Sequence, residues 1–165
     1  MCKSRKTVAD VPELLAQWHW EKNGDLKPWH VVLGSHKKVW WRCFLGKWPD
    51  GTPAHDHEWE ASPNKRALFG RGCPCCKGKK VVPSNCFATT HPQIAAQWHP
   101  TKNGSLTPYD VTFGSGKQPV SWKCYADKWP DGSPADDHEW DATPNTRTNS
   151  GRAGNCPCCV GQKVV

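Results

Sequence analysis

Two copies of one spacing constrain this chain more than anything else in it: Cys43, His57, Cys73 and Cys76, then Cys124, His138, Cys156 and Cys159. Thirteen residues separate Cys from His in both copies, and each copy closes on Cys-Pro-Cys-Cys with a glycine two residues further on. Three sulfurs and one imidazole, repeated in order, form the donor set that a tetrahedral Zn2+ takes. The spacing therefore predicts two Cys3His sites and two Zn2+ per chain. Within each Cys-Pro-Cys-Cys the outer cysteines suit a Cys-x-x-Cys chelate, with Cys75 and Cys158 as competitors. His55 is a second candidate in the first copy, but its counterpart is Asp136, which favours His57 and His138.

The repetition extends well beyond the ligands. At an offset of 80 that widens to 83, Gln17-Trp18-His19 meets Gln97-Trp98-His99, and Asn23-Gly24 meets Asn103-Gly104. Lys47-Trp48-Pro49-Asp50-Gly51 recurs as Lys128-Trp129-Pro130-Asp131-Gly132, and His57-Glu58-Trp59 as His138-Glu139-Trp140. Such a period implies one structural unit used twice. We read residues 1–6 as a basic tail, 7–82 as the first repeat and 83–165 as the second.

With 36% apolar residues and a mean hydropathy of -0.76, the 165-residue chain is too polar for one large core. Two modules of about 80 residues sit where a core alone gives only a few kcal/mol. A bound metal then becomes a condition of folding. In each module we expect a short helix, capped by Asp10 or Thr90, with Pro12 or Pro92 in its first turn. Leu15 should share a face with Trp18, and Ala95 with Trp98. The alternation Val39, Trp41, Cys43 (and Val120, Trp122, Cys124) predicts a strand, and a second strand returns around Trp59 and Ala61, or Trp140 and Ala142. The fold class is a small zinc-stabilised α+β chain: two tandem modules, each a β-hairpin with short helices. Four tryptophan pairs, Trp18/Trp98, Trp41/Trp122, Trp48/Trp129 and Trp59/Trp140, should form the small cores.

These motifs together resemble the treble clef, zinc-ribbon repeat family that occurs in tandem arrays and beside nuclease-like domains in bacteria, plants and large DNA viruses. The resemblance covers both repeats and implies that Cys43, His57, Cys73 and Cys76 hold one metal and Cys124, His138, Cys156 and Cys159 the other.

Enzyme signatures fail on inspection. His57-Glu58 is not followed by the second histidine of a zinc protease. The His-x-Glu and Pro-Cys-x-x-Cys pattern of a deaminase is also missing, since position 59 is Trp and the proline lies inside the cysteine pair. A site with four protein ligands has no open position, so the zinc is read as scaffold, with neither catalysis nor a small-molecule substrate. Asp136-Asp137, opposite His55-Asp56, reads as solvated charge. No apolar run is long enough for a bilayer, and the start, Met1 to Lys6, lacks a secretory segment. Ten cysteines are then thiols of a reducing interior: nucleus, cytoplasm or organelle matrix.

Lys and Arg exceed Asp and Glu by 22 − 15 = 7, and the whole excess lies in the first half: 15 against 8 over residues 1–82, and 7 against 7 afterwards. Phosphate contacts need such charge and unpaired bases need aromatic faces, so we expect nucleic acid, DNA or RNA, as partner of the first repeat. The candidate contacts are Lys37, Lys38, Trp40, Arg42, Lys65, Arg66, Arg71, Lys77, Lys79 and Lys80, with Arg147 as the repeat of Arg66. Trp40 should lie on the strand face of Lys38 and Arg42, away from Trp41. Arg66 and Arg147 suit equally a cation–π contact over Trp59 and Trp140. Trp20, Trp29 and Trp40, replaced by Pro100, Tyr109 and Ser121 in the second repeat, are candidates for a contact surface. The competing class is a protein-interaction subunit of a ribosome or other ribonucleoprotein particle, which the near-neutral second repeat suits.

Overall fold

Local pairing around the Trp-His turn builds each hairpin. In the computed structural model, which describes residues 5–125, 137–149 and 156–160, the chain divides into two compact units, Met1–Ser84 and Asn85–Val165. That division falls two residues beyond the end of the first repeat as read from the sequence, because Ser84 is bonded back to Asp56. Lys3 of the basic tail, Trp129, Asp136 and the final Lys163-Val164-Val165 lie outside the described residues.

The first module runs α1 (Pro12–Leu15), β1 (Val39–Arg42), β2 (Glu58–Ala61) and α2 (Pro63–Ala67). The second runs α3 (Phe87–Thr90), α4 (Pro92–Ala95), β3 (Val120–Lys123), β4 (Glu139–Ala142) and α5 (Pro144–Asn149). Both are small α+β units in which a two-stranded antiparallel hairpin is paired with short helices. The hairpins share one register, with Trp41 opposite Trp59 and Trp122 opposite Trp140. Val39, Trp41 and Cys43 are buried while Trp40 and Arg42 are half-buried, the alternation that a pleated strand dictates.

Asparagine does the work of a further strand. The Asn23 side chain donates to the Trp40 carbonyl and accepts from the Trp40 N–H, both at 2.9 Å, and Asn103 treats Ser121 in the same way. Gly24 and Gly104 follow at φ of +54° and +59°, a left-handed turn that only glycine enters without strain. The turn brings Trp18 edge-on to Trp41 at 5.7 Å and Trp98 edge-on to Trp122 at 5.2 Å.

The helix starts differ from expectation. Asp10 does not cap α1; its carboxylate accepts from the Thr7 N–H and hydroxyl, closing a 3-10 turn over Val8–Asp10. Thr90 ends α3 instead of starting α4, its hydroxyl donating to the Cys86 carbonyl at 2.9 Å. Leu14, not Leu15, is buried with Trp18. Ile94 joins Ala95 and Trp98 against the second core. Trp18, Trp41 and Trp59 form the first core as expected, whereas Trp48 is half-buried and outside it.

One carboxylate pins the Trp-His turn to the hairpin. Glu58 accepts from Nε2 of the buried His19 at 2.8 Å, from Nε and Nη2 of Arg42 at 3.0 and 2.7 Å, and from Lys22. Nδ1 of His19 accepts the Lys22 N–H, which leaves Nε2 to donate to Glu58. The two histidines are thus turn elements, since His99 bonds Glu139 at 2.9 Å in the same manner. Partial burial raises the Glu58 pKa, but the bonds from Lys22, Arg42 and His19 outweigh it and hold the carboxyl at about 2. A depressed carboxylate adds stability that is complete above its ordinary value of 4.5 and drains away as pH falls toward about 2. Glu58→Gln should therefore destabilise the first module by about 1.5–3 kcal/mol at pH 7, read as a loss of thermal midpoint, with less difference from wild type at pH 3.

Candidate metal centres

Each cluster is assembled from three separate pieces of chain. Cys43 and Cys124 come from the end of the first strand, His57 and His138 from the residue before the second, and the cysteine pairs from the closing turn. In both modules the Cys43 and Cys124 N–H groups donate to the carbonyls of His57 and His138 at 2.9 and 3.0 Å, so the hairpin itself sets one thiol beside one imidazole. The ligand atoms of Cys43, His57, Cys73 and Cys76 lie within 4.8 Å of one another, as do those of Cys124, His138, Cys156 and Cys159.

The separations fit a zinc tetrahedron. With Zn–S of about 2.3 Å and Zn–N of about 2.0–2.1 Å, regular geometry places sulfur about 3.8 Å from sulfur and about 3.6 Å from nitrogen. Sγ of Cys43 and Cys76 are 3.7 Å apart, as are those of Cys124 and Cys159. His57 Nδ1 stands 3.7 and 3.3 Å from Cys73 and Cys76, and His138 Nδ1 3.8 and 3.5 Å from Cys156 and Cys159. The facing nitrogen is Nδ1 in both. With four donors converging, the cluster leaves no position for substrate, and its role is structural.

Cys75 is buried beside the first cluster without belonging to it. A hydrogen bond from its thiol, working against burial and joined by the Cys76 N–H, draws the Cys73 pKa down to about 4. Cys75 is itself pushed up by the same bond and by burial, so it remains a thiol.

A second layer went unread in the sequence. His57 Nε2 lies 3.2 Å from Ser84 Oγ, and the Ser84 hydroxyl and N–H donate to the two oxygens of Asp56 at 2.7 and 2.8 Å. Asp56 is therefore a bonded partner of the site and not solvated charge. Gly46 backs onto the same ring, since a Cβ there would lie 2.7 Å from Nδ1. A Ser-Asp pair two steps from a histidine has no distinctive spacing, so only the fold reveals it.

The two arginines leave the expected nucleic-acid surface. Arg66 is 7% exposed and Arg147 4%, each held between two tryptophans. The Arg66 guanidinium lies 4.8 Å from the Trp41 ring and 5.1 Å from Trp59, and that of Arg147 5.0 Å from Trp122 and Trp140. Each donates to a glutamine, Gln17 at 2.7 Å and Gln97 at 2.6 Å. Burial lowers the Arg66 pKa, and the sulfurs of Cys73 and Cys43 oppose that effect; Cys156 and Cys124 do the same for Arg147. A dication with three thiolates would carry one net negative charge, which the buried guanidinium would balance.

The other expected contacts divide. Arg42 is tied to Glu58, Lys80 donates to the Glu58 carbonyl, and Trp40 is half-buried with Lys22 Nζ 4.4 Å from its ring. Lys37, Lys38, Lys65, Arg71, Lys77 and Lys79 are exposed. Lys38, Lys65 and Arg71 line one open cleft of about 450 Å³ with His36, which sequence reasoning missed, and Glu60.

The model of a family described as "Probable Treble clef zinc finger domain" matches residues 14–79 and 94–162, nearly the whole of both modules. A search of curated proteins finds no match. No helix among the described residues is long and apolar enough to cross a membrane.

Two substitutions test this construction. Ser84→Ala should weaken metal affinity of the first site about 10–100-fold in competition with a chromophoric chelator, leaving the second site unchanged. Arg66→Met should destabilise the first module by about 3–5 kcal/mol in denaturant, because it strands the charge of the metal cluster in the core.

Proposed function

The chain belongs to the treble clef zinc-finger family, and we propose that it is a non-catalytic scaffold that binds nucleic acid through its first module. One Zn2+ is held by Cys43, His57, Cys73 and Cys76, the other by Cys124, His138, Cys156 and Cys159. The nine described cysteines are unbridged, which suits a reducing compartment.

The observation that carries this reading is the cleft of Lys38, Lys65, Arg71 and His36. Its lysines supply point charges and its arginine a planar fork, the two forms in which proteins meet phosphate. Exposed Lys37, Lys77 and Lys79 add to the positive field of this module. The second module has Pro119 and Thr146 where the first has Lys38 and Lys65, and a separate cleft there is lined by Glu139, Asp141 and Lys102. The positive surplus that attracts phosphate lies in the first module. The acidic cleft, with Tyr109, Phe113 and Tyr125 exposed in the same unit, favours a protein contact there, and both contacts hold together in a ribonucleoprotein particle.

Anisotropy titration of a labelled oligonucleotide at several salt concentrations is the test. Affinity should fall steeply with salt, and Lys38→Gln, Lys65→Gln and Arg71→Gln should each reduce the logarithmic slope by about 0.7–0.9. Binding that ignores salt, or that survives all three changes, would remove the phosphate contact.

A further inference from the structure

The first module carries a second, smaller opening that the cleft does not explain. Trp18, His19, Trp20, Glu21, Arg42 and Phe44 line a slot of about 110 Å³, below the range of about 300–1,000 Å³ that takes drug-sized ligands. Trp20 is 50% exposed and Phe44 58%, so two aromatic groups stand open at a space suited to one planar ring. Trp29, 54% exposed, lies 6.4 Å from Trp20 and extends the aromatic surface outward.

Folding does not require Trp20. The second module builds the same hairpin register and the same ligand cluster with Pro100 in its place, while Tyr109 and Tyr125 stand where the first module has Trp29 and Phe44. None of Trp20, Trp29 and Phe44 belongs to the buried core. Large aromatics held in water without a packing role mark a contact surface.

The polar members of the slot suit a nucleobase. Arg42 is braced by Glu58, and its Nη2 stands 3.4 Å from Oε2 of Glu21, which sets a donor beside an acceptor. A nucleobase edge presents the complementary pairing of ring acceptors with amino or imino donors. An ammonium group would suit the aromatic walls and Glu21 as well, so it is the neighbouring phosphate cleft that selects a nucleobase as the occupant. Lys38 of the phosphate cleft, the residue before β1, and Arg42 of the slot, the last of β1, are four residues apart, about 13 Å in extended chain, within reach of one short oligonucleotide.

We propose that the slot between Trp20 and Phe44 takes one unpaired nucleobase of the strand whose phosphates the cleft holds. This rests on the phosphate reading above and adds to it a preference for single strands. A base inside a duplex cannot enter, because both its faces are already stacked.

The test compares three labelled probes on the zinc-loaded full chain: a dT 12-mer, a 12-mer of the same charge made of abasic sites, and a 12-base-pair duplex. The wild-type chain should bind the dT strand at least about five-fold more tightly than the abasic strand, the lower end of one stacked base. Trp20→Ala and Phe44→Ala should each remove most of that difference and leave abasic and duplex binding unchanged. Lys65→Gln should weaken all three probes alike. Both aromatic positions are exposed, and an unchanged metal content confirms that each variant is folded. Equal binding of dT and abasic strands, or a difference that survives both aromatic changes, overturns the slot and leaves the phosphate reading intact. No binding of any probe at low salt overturns both.

Discussion

A single four-cornered knot in each module holds three pieces of chain that have little else to hold them. Loop closure between Cys43 and Cys73 must be compensated by something, and the apolar core is thin: among the described residues of the second module, Phe87, Val120 and Trp122 form its buried cluster. Zinc bound by a Cys3His set releases on the order of 10–16 kcal/mol, more than such a core supplies. The rest of each module is arranged around that cluster. The hairpin fixes one sulfur beside one imidazole, and the closing turn brings two more sulfurs. An arginine between two indoles then neutralises the charge the cluster leaves behind.

That last feature explains a repeated arginine that is otherwise expensive to bury. Arg66 and Arg147 sit on α2 and α5, each entered through a buried proline, Pro63 or Pro144, which starts the helix immediately after the hairpin. The helix aims its guanidinium back over Trp41 and Trp59, or Trp122 and Trp140. Tryptophan faces, thiolates and a planar cation thus form one electrostatic unit, and the same unit occurs twice.

The fold was legible where the physics is local and periodic. Alternation of Val39, Trp41 and Cys43 predicts β1 because a strand has period two, and the repeat alone aligns both hairpins. Helix starts were misread because Asp10 and Thr90 had nearer partners in Thr7 and Cys86. Arg66 illustrates the limit of charge counting: a basic residue in a basic half reads as surface until the two indoles that enclose it are placed. Ser84 and Asp56 were invisible for a simpler reason, since their contact spans 28 residues and has no motif. Conversely, the asymmetry between the modules was already present in the sequence. Trp20, Lys38 and Lys65 against Pro100, Pro119 and Thr146 mark where one shared scaffold acquires a surface of its own.

The account stands or falls on metal and structure being inseparable. Inductively coupled plasma mass spectrometry of the purified chain, followed by near-ultraviolet circular dichroism during chelator titration, measures both at once. The account predicts two zinc ions per chain and an indole signal that vanishes as they are withdrawn and returns when zinc is restored. A chain that carries no zinc, or that keeps its tryptophan signal after both ions are gone, would contradict it.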